Sequence, residues 1–154
     1  MEKMKAVIAL GSNLGDRSEN LKSAVIQLEK IIKNLRLSEF MESKAIGGPV
    51  QGDYLNAIAI GDSDLDPEKL LTDLLSIEDR MGRVRAEKWG PRTIDLDLIC
   101  FGNQVINTAF LQLPHPLAHT REFVIAPWFS IDPNGVIPGV GEIKNILASL
   151  KRKS

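Results

Sequence analysis

Two stretches of this chain repeat apolar residues at helical spacing, and short apolar segments stand before, between and after them. That order restricts the fold more than any bulk property does. "KAVIAL" at 5–10 reads as a first strand that stops at Gly11. "GSNLGD" is turn chemistry, and Asp16 with Glu19 makes a capping-box-like helix start. Leu21, Val25, Leu28 and Ile32 then recur at helical spacing to about residue 33. "LRLSEFME" at 35–42 alternates as a strand, and "YLNAIAIG" at 54–61 is another, with Tyr54, Asn56, Ile58 and Ile60 on one face. Asp66 and Pro67 open a second helix with the stripe Leu70, Leu74, Ile77 and Met81, closed by Gly82.

A strand at 94–100 follows, then "GN" at 102–103 as a tight hairpin into "QVI". The remainder holds a proline-rich turn near His115, a short helix around 121–129 and a last helix from Glu142 to Leu150, with "KRKS" frayed. The order through residue 100 is β-α-β-β-α-β, a ferredoxin-like split unit of the α+β class. Its helices belong on one face of an antiparallel sheet. The added C-terminal hairpin and helices are expected on the other face, giving a three-layer α-β-α sandwich. With 154 residues and neither repeat nor linker, 1–154 is expected to be a single domain.

The acids of the fourth strand are the first chemical clue. Asp95 and Asp97 in "KWGPRTIDLDLI" point to one side, roughly 6.5–7 Å apart along the strand. A D-x-D pair alone reads as a solvated acidic face. Here Arg80, Arg83, Arg85, Lys88 and Arg92 crowd the preceding segment against only Glu87. Paired acids beside arginines suit a divalent metal with polyphosphate: the acids hold Mg²⁺ and the guanidinium forks hold phosphate oxygens. No P-loop, kinase signature or zinc-spaced Cys/His cluster is present.

Other residues gather around that reading. Glu78 falls inside the apolar arc of its helix, where an acid needs a partner; pairing with an arginine and a direct catalytic role both fit. Tyr54 and Asn56 at the mouth of the glycine-rich "SKAIGGPVQGD" connection could bind a flat heterocycle by stacking and edge hydrogen bonds. Phe123 reads as core. His115 stands between prolines with Arg121 six residues on, a candidate phosphate contact, whereas His119 reads as exposed. Trp89, in a polar loop, suits a lid over a ligand.

Composition removes several classes. The net charge of −1 argues against nucleic-acid binding, and the dense cluster of basic residues is confined to one loop. No apolar run is long enough to span a bilayer, and "MEKMKAVIAL" reads as a strand rather than a signal peptide. The single cysteine, Cys100, excludes an internal disulfide and reads as buried filler. A cytoplasmic protein is expected.

Four segments together, "ALGSNLGDR" (9–17), "DYLNA" (53–57), "GRVRAEKWGPRTIDLDLICFG" (82–102) and "LPHPLAHTREFV" (113–124), resemble the 6-hydroxymethyl-7,8-dihydropterin pyrophosphokinase family of folate biosynthesis. The resemblance implies transfer of the β,γ-diphosphate of ATP, as one unit, to the pterin's hydroxymethyl group, with release of AMP. By matching position, Asp95 and Asp97 would hold two Mg²⁺ ions, and Asp95 would accept a hydrogen bond from the attacking hydroxyl. Arg83 and Arg92 would clamp the transferring group. Glu78, Arg85, Trp89, His115 and Arg121 would belong to the ATP side. Tyr54 and Phe123 would sandwich the pterin, which revises the reading of Phe123, while Asn56 and the backbone near Ser43, Ile46 and Gly47 would read its edge.

The chain departs from the family pattern at Lys44 and Ala45, where prolines are common, and at Phe110, where some members carry a base. The partners implied are ATP and the pterin, with no nucleic acid and no membrane, for a monofunctional monomer. The alternatives are a catalytically inactive ferredoxin-like module that binds a nucleotide or small molecule, and a metal-dependent nucleic-acid enzyme.

Overall fold

The first strand, β1 (Met4–Ser12), is apolar on both faces, and that makes it the centre of a sheet covered on both sides. The computed structural model of the chain describes residues 4–45, 50–82 and 93–153. After β1 come α1 (Arg17–Leu28), β2 (Lys33–Leu37), β3 (Met41–Ser43), β4 (Tyr54–Ser63), α2 (Pro67–Arg80) and β5 (Asp95–Phe101). The main sheet runs β2-β4-β1-β5, every pair antiparallel, with β3 also on β4. The connection through α1 steps over β4 and the one through α2 steps over β1. That is the split arrangement expected from the sequence.

Helices α1 and α2 cover one face. Leu21, Ala24, Leu28, Leu70, Leu74 and Ile77 pack on Ile8, Leu10, Ala59, Leu96 and Leu98. The other face is covered by α3 (Glu122–Ile131) and α4 (Ile143–Lys153), through Val124, Ile125, Trp128, Ile143 and Leu147 against Val7, Ile58, Ile60 and Ile99. The α-β-α sandwich is therefore present. Each buried Leu or Ile contributes about 1.5–3 kcal/mol relative to exposure, so these two layers hold the sheet. At the end of the sheet where β1 begins, Asp132 ties α3 to the strands. Lys5 pairs with it, Trp128 Nε1 donates to it at 2.9 Å, and Arg36 reaches the neighbouring Ile131 carbonyl at 2.7 Å. Burial pushes the Asp132 pKa up, but the hydrogen bonds from Lys5 and Trp128 outweigh it and leave the carboxyl below its usual range.

Several boundaries differ from the sequence reading. Helix α1 ends at Leu28, and Ile32 is buried in the turn that follows instead of in a fourth helical turn. The expected strand at 35–42 is two strands. At Ser38 the chain leaves the ladder, and the Ser38 hydroxyl takes the Ile58 N–H at 2.8 Å in place of a backbone carbonyl. The hairpin expected at 102–103 does not pair with β5. Gly102 turns the chain at φ +57, and β6 (Ile106–Asn107) pairs with β7 (Gln112–Leu113). A further small hairpin, β8 (Val136–Ile137) with β9 (Gly141–Glu142), precedes α4. Residues 151–153 are helical, with Lys151, Arg152 and Lys153 in the last turn, where cations suit the macrodipole. Strand β1 does not stop at Gly11 but runs through Ser12.

The sheet also carries a bulge. Val7 faces Cys100 whereas Ile8 faces Leu98, so Ile99 is the extra residue in β5. Ile99 and Cys100 then both face α3 and α4, and Phe101 turns to the α1–α2 side. Burial pushes the Cys100 thiol up to about 12, so it is inert filler, as its apolar setting suggested. Among the described residues no helix is long and apolar enough to cross a membrane.

Gly61 shows how tightly the β2 edge is seated. A β-carbon there would lie 2.3 Å from Ile32 Cγ2 and 2.8 Å from the Lys33 carbonyl. Gly61→Ala is expected to lower unfolding free energy by about 1–3 kcal/mol through overpacking. Urea denaturation checks this; an unchanged midpoint would mean the β2 edge yields freely.

Candidate active site

Cross-strand register brings the sequence-marked residues to one end of the sheet. Directly opposed residues share a face. One row reads Met41, Asn56, Gly11, Asp95, and the row beneath it Ile58, Ala9, Asp97. Tyr54 and its partner Ser43 extend the same face outwards. This is the face of α3 and α4. The two carboxylates thus stand where that covering layer stops. The central strand contributes only Ala9 and Gly11 to these rows. A β-carbon on Gly11 would sit 3.3 Å from the Tyr54 ring and 3.4 Å from Asn56 Oδ1, so glycine keeps the floor open.

A cavity of about 700 Å³ rises from that floor. Ser43, Lys44 and Ala45 line one side, Tyr54, Asn56, Asp95 and Asp97 the base, and His115, Arg121 and Phe123 the far side. The amide of Asn56 is fixed, because Nδ2 donates to Ser43 Oγ at 2.8 Å and to the Met41 carbonyl at 3.0 Å. Its Oδ1 is thereby turned towards Gly11. The Tyr54 hydroxyl lies 3.4 Å from Asp95 Oδ2, a weak contact that sets the ring beside the acid. The Arg121 guanidinium sits 5.7 Å from the Phe123 ring centroid, so the cation and the aromatic wall are placed together.

His115 is held by its own backbone, whose N–H donates to the Ile99 carbonyl at 2.9 Å. Its Nδ1 accepts the Leu117 N–H at 3.2 Å, which leaves the ring proton on Nε2 as a donor. Burial first, and the Arg121 charge second, bring its pKa down from 6.5 to about 4. At neutral pH it is an uncharged donor beside a permanent cation. His119 is exposed and lines neither cavity, as the sequence suggested.

A second cavity of about 450 Å³ shares Asp97 and His115 with the first. Aliphatic side chains and polar groups share its walls: Leu71 and Leu75 from α2, Leu98 from β5, then Ala109, Phe110 and Leu111, beside Glu78, Asp97, Gln112 and His115. No sequence pattern marks it, because these residues come from three elements that only the fold brings together. Phe110, half exposed, covers one side of it.

Glu78 lines this second cavity and is 3% exposed. Its Oε2 accepts the backbone N–H of Leu96 at 2.7 Å. Leu96 is the residue between the two aspartates, so the acid that looked misplaced on its helix secures the strand that carries them. This contact was not among the partners considered for it in the sequence. Arg83, Arg85, Trp89, Arg92, Ile46 and Gly47, all marked in the sequence, lie outside the described residues.

Among the described residues no group of three or more His, Cys, Asp or Glu is arranged to hold a metal. Two carboxylates on one strand face still fit Mg²⁺, which keeps several waters and takes further oxygens from substrate phosphates. Two adjoining cavities that meet at Asp97, beside Asp95 on the end of an antiparallel sheet, suit a two-substrate transferase of the α+β class. Comparison with known proteins makes this specific. The family model of 7,8-dihydro-6-hydroxymethylpterin-pyrophosphokinase (HPPK) matches residues 7–133, and the chain belongs to that family.

The 2-amino-4-hydroxy-6-hydroxymethyldihydropteridine pyrophosphokinase of Haemophilus influenzae is 43% identical over 135 residues, covering 86% of this chain and 84% of the relative. That of Aquifex aeolicus is 37% identical over 131 residues, with 85% and 82% covered. In fold, the chain is similar to a solved HPPK-DHPS in complex with substrates, at a TM-score of 0.74 and 12% identity. It covers 99% of this chain but 44% of that one, so the chain spans less than half the length of the two-part protein.

Two outcomes are expected from this geometry. Glu78→Ala leaves the Leu96 N–H without this acceptor and is expected to cost about 1–3 kcal/mol of stability, whereas Glu78→Gln keeps an acceptor and loses less. Denaturant titration of both variants checks it; equal losses would remove the hydrogen bond as the cause. For His115, the unfolded imidazole takes its proton near 6.5 and the folded one near 4. The unfolded state therefore binds more protons in that window, and this group costs stability as pH falls from 6.5 to about 4. NMR titration of the ligand-free protein should place the imidazole midpoint near 4; a midpoint at 6.5 would contradict the burial account.

Proposed function

We propose that the chain is an ATP-dependent diphosphokinase that transfers the β,γ-diphosphate of ATP to the hydroxymethyl group of 6-hydroxymethyl-7,8-dihydropterin. The products are AMP and the pterin diphosphate, in folate biosynthesis. The single observation that carries the reading is that Asp97, on one strand face with Asp95, stands where two cavities meet, in a chain of this family. The first cavity suits the pterin. Tyr54 and Phe123 offer ring faces, and Asn56 with Ser43 offers edge hydrogen-bonding groups. The second suits the nucleotide, with Leu71 and Leu75 against the base and the phosphates running towards Asp97 and His115.

In the reaction the pterin oxygen forms a bond to the β-phosphorus as the bridging bond to AMP breaks, with the electron pair leaving on AMP. Such transfer asks the protein mainly for alignment and charge neutralisation. Asp95 accepts the hydrogen bond of the attacking hydroxyl, and the adjacent Tyr54 ring fixes the pterin over it. In this reading Asp95 and Asp97 would hold two Mg²⁺, which when bound would supply neutralisation of the charge developing on the phosphates. Arg121 adds a fixed cation, and neutral His115 donates from Nε2 to a phosphate oxygen. Arg83 and Arg92 are assigned to the transferring group, and Arg85 and Trp89 to the ATP side. Ile46 and Gly47 are assigned to the pterin edge.

The reading takes residues 1–154 as one pyrophosphokinase domain acting as a monomer. Its support is that both covering layers pack on one continuous sheet. A catalytically inactive binding module remains the alternative outcome of the tests.

The assay is direct: purified protein, Mg²⁺, ATP and the pterin, with nucleotides separated after reaction. AMP should form in step with pterin diphosphate and only when pterin is present. ADP would mean single phosphoryl transfer, and ATP binding without turnover would favour the binding module. Asp97→Ala should lower turnover at least about a hundredfold through lost charge stabilisation. Its melting temperature should stay near wild type, because Asp97 is half-buried at the cavity floor and not part of the core. Retained activity with a lower melting temperature would make the acids structural.

A further inference from the structure

Arg17 ends the "ALGSNLGDR" stretch and takes no part in the chemistry above, yet its guanidinium spans both stems of the connection between β3 and β4. One amino group donates to the Asp53 carbonyl at 3.0 Å, and the other to the Glu42 carboxylate at 2.6 Å. Glu42 directly precedes Ser43, and Asp53 directly precedes Tyr54. Ser43 and Tyr54 are register partners, and both line the larger cavity. A single planar fork therefore fixes the two chain segments from which that cavity's side wall grows.

The fork is presented from a rigid base. Asp16 caps α1 by accepting the Glu19 N–H at 3.1 Å, and Asn20 Nδ2 donates to Ser12 Oγ at 3.1 Å and to the Leu14 carbonyl at 2.8 Å. The turn that carries Arg17 is thus bound to the end of β1, the strand under Asp95. Asn13 adds a second strut: its Nδ2 donates to Gln51 Oε1 at 2.7 Å and to the Gly52 carbonyl at 3.1 Å. With side chains 33% and 61% exposed, the Arg17–Glu42 pair adds little to folding stability. Its effect is on geometry.

We infer that Arg17 is a positioning residue for the pterin cavity, pinning the Glu42–Ser43 and Asp53–Tyr54 stems to the turn after β1 and so setting affinity for the heterocycle without setting affinity for the nucleotide. The inference rests on the reading of the larger cavity as the pterin site. A lysine could reach one stem but could not bridge two.

The test measures binding of 6-hydroxymethyl-7,8-dihydropterin in the presence of Mg²⁺ and a non-hydrolysable ATP analogue, binding of that analogue alone, and steady-state rates with ATP. Wild type is compared with Arg17→Met, Arg17→Lys and Glu42→Gln. Arg17→Met should weaken pterin binding and raise its KM about tenfold, as expected when a binding wall is displaced by a fraction of an ångström. The analogue's affinity should stay within about twofold, kcat at saturating pterin within about threefold, and Tm close to wild type. Arg17→Lys should fall between the two. Should Arg17→Met not fold, Glu42→Gln, which leaves Arg17 on the Asp53 carbonyl, should still weaken the pterin about twofold to threefold.

Unchanged pterin affinity in Arg17→Met, or an equal loss for both ligands, overturns the inference while leaving the proposed reaction intact. Failure of the wild-type protein to bind the pterin at all overturns the proposed reaction together with the inference.

Discussion

Asp95 and Asp97 leave β5 on the same face, and like charges this close are unfavourable unless the surroundings answer them. The sheet is built so that they can be answered from outside the chain. The central strand opposes them with Gly11 and Ala9, which add no bulk over the carboxylates. The covering layer of α3 and α4 ends short of them and leaves a cavity. Beneath them, Glu78 grips the Leu96 N–H and holds the strand between the two acids. A rigid, open, doubly acidic edge is suited to a cation that arrives with phosphates.

The two cavities divide the work. One is edged with aromatic rings, a fixed amide and a serine hydroxyl, which fits a flat polar heterocycle. The other sets aliphatic side chains beside polar groups, and the proposed reaction assigns it to the nucleotide. They share Asp97 and His115, so groups bound in each would meet at the carboxylates. A neutral His115 and a cationic Arg121 then offer two kinds of phosphate contact from one turn.

Strand order, helix stripes and the placing of Asp95 with Asp97, and of Tyr54 with Asn56, on one face of their own strands are legible in the sequence, because two-residue and helical periodicities are local properties. What escaped depends on partners far along the chain. Gly11 read as a strand end, since a glycine's need for space shows only when Tyr54 and Asn56 are known to crowd it. The bulge at Ile99 cannot be seen without β1 opposite it. The hairpin at 102–103 was inferred from a turn dipeptide, but β6 finds β7 instead. Glu78 is anomalous from its place on the helix alone, whereas the backbone N–H that it accepts, on another element, carries no sequence signal. Arg17 likewise lay within a recognisable motif whose role needed the stems of a distant loop.

The measurement that bears most directly on the account is a structure of the protein with Mg²⁺, a non-hydrolysable ATP analogue and the pterin. The account predicts metal on both Asp95 and Asp97, the base against Leu71 and Leu75, and the heterocycle between Tyr54 and Phe123 with its hydroxymethyl group facing the β-phosphate. A nucleotide bound away from the two carboxylates, or a heterocycle outside the larger cavity, would contradict it.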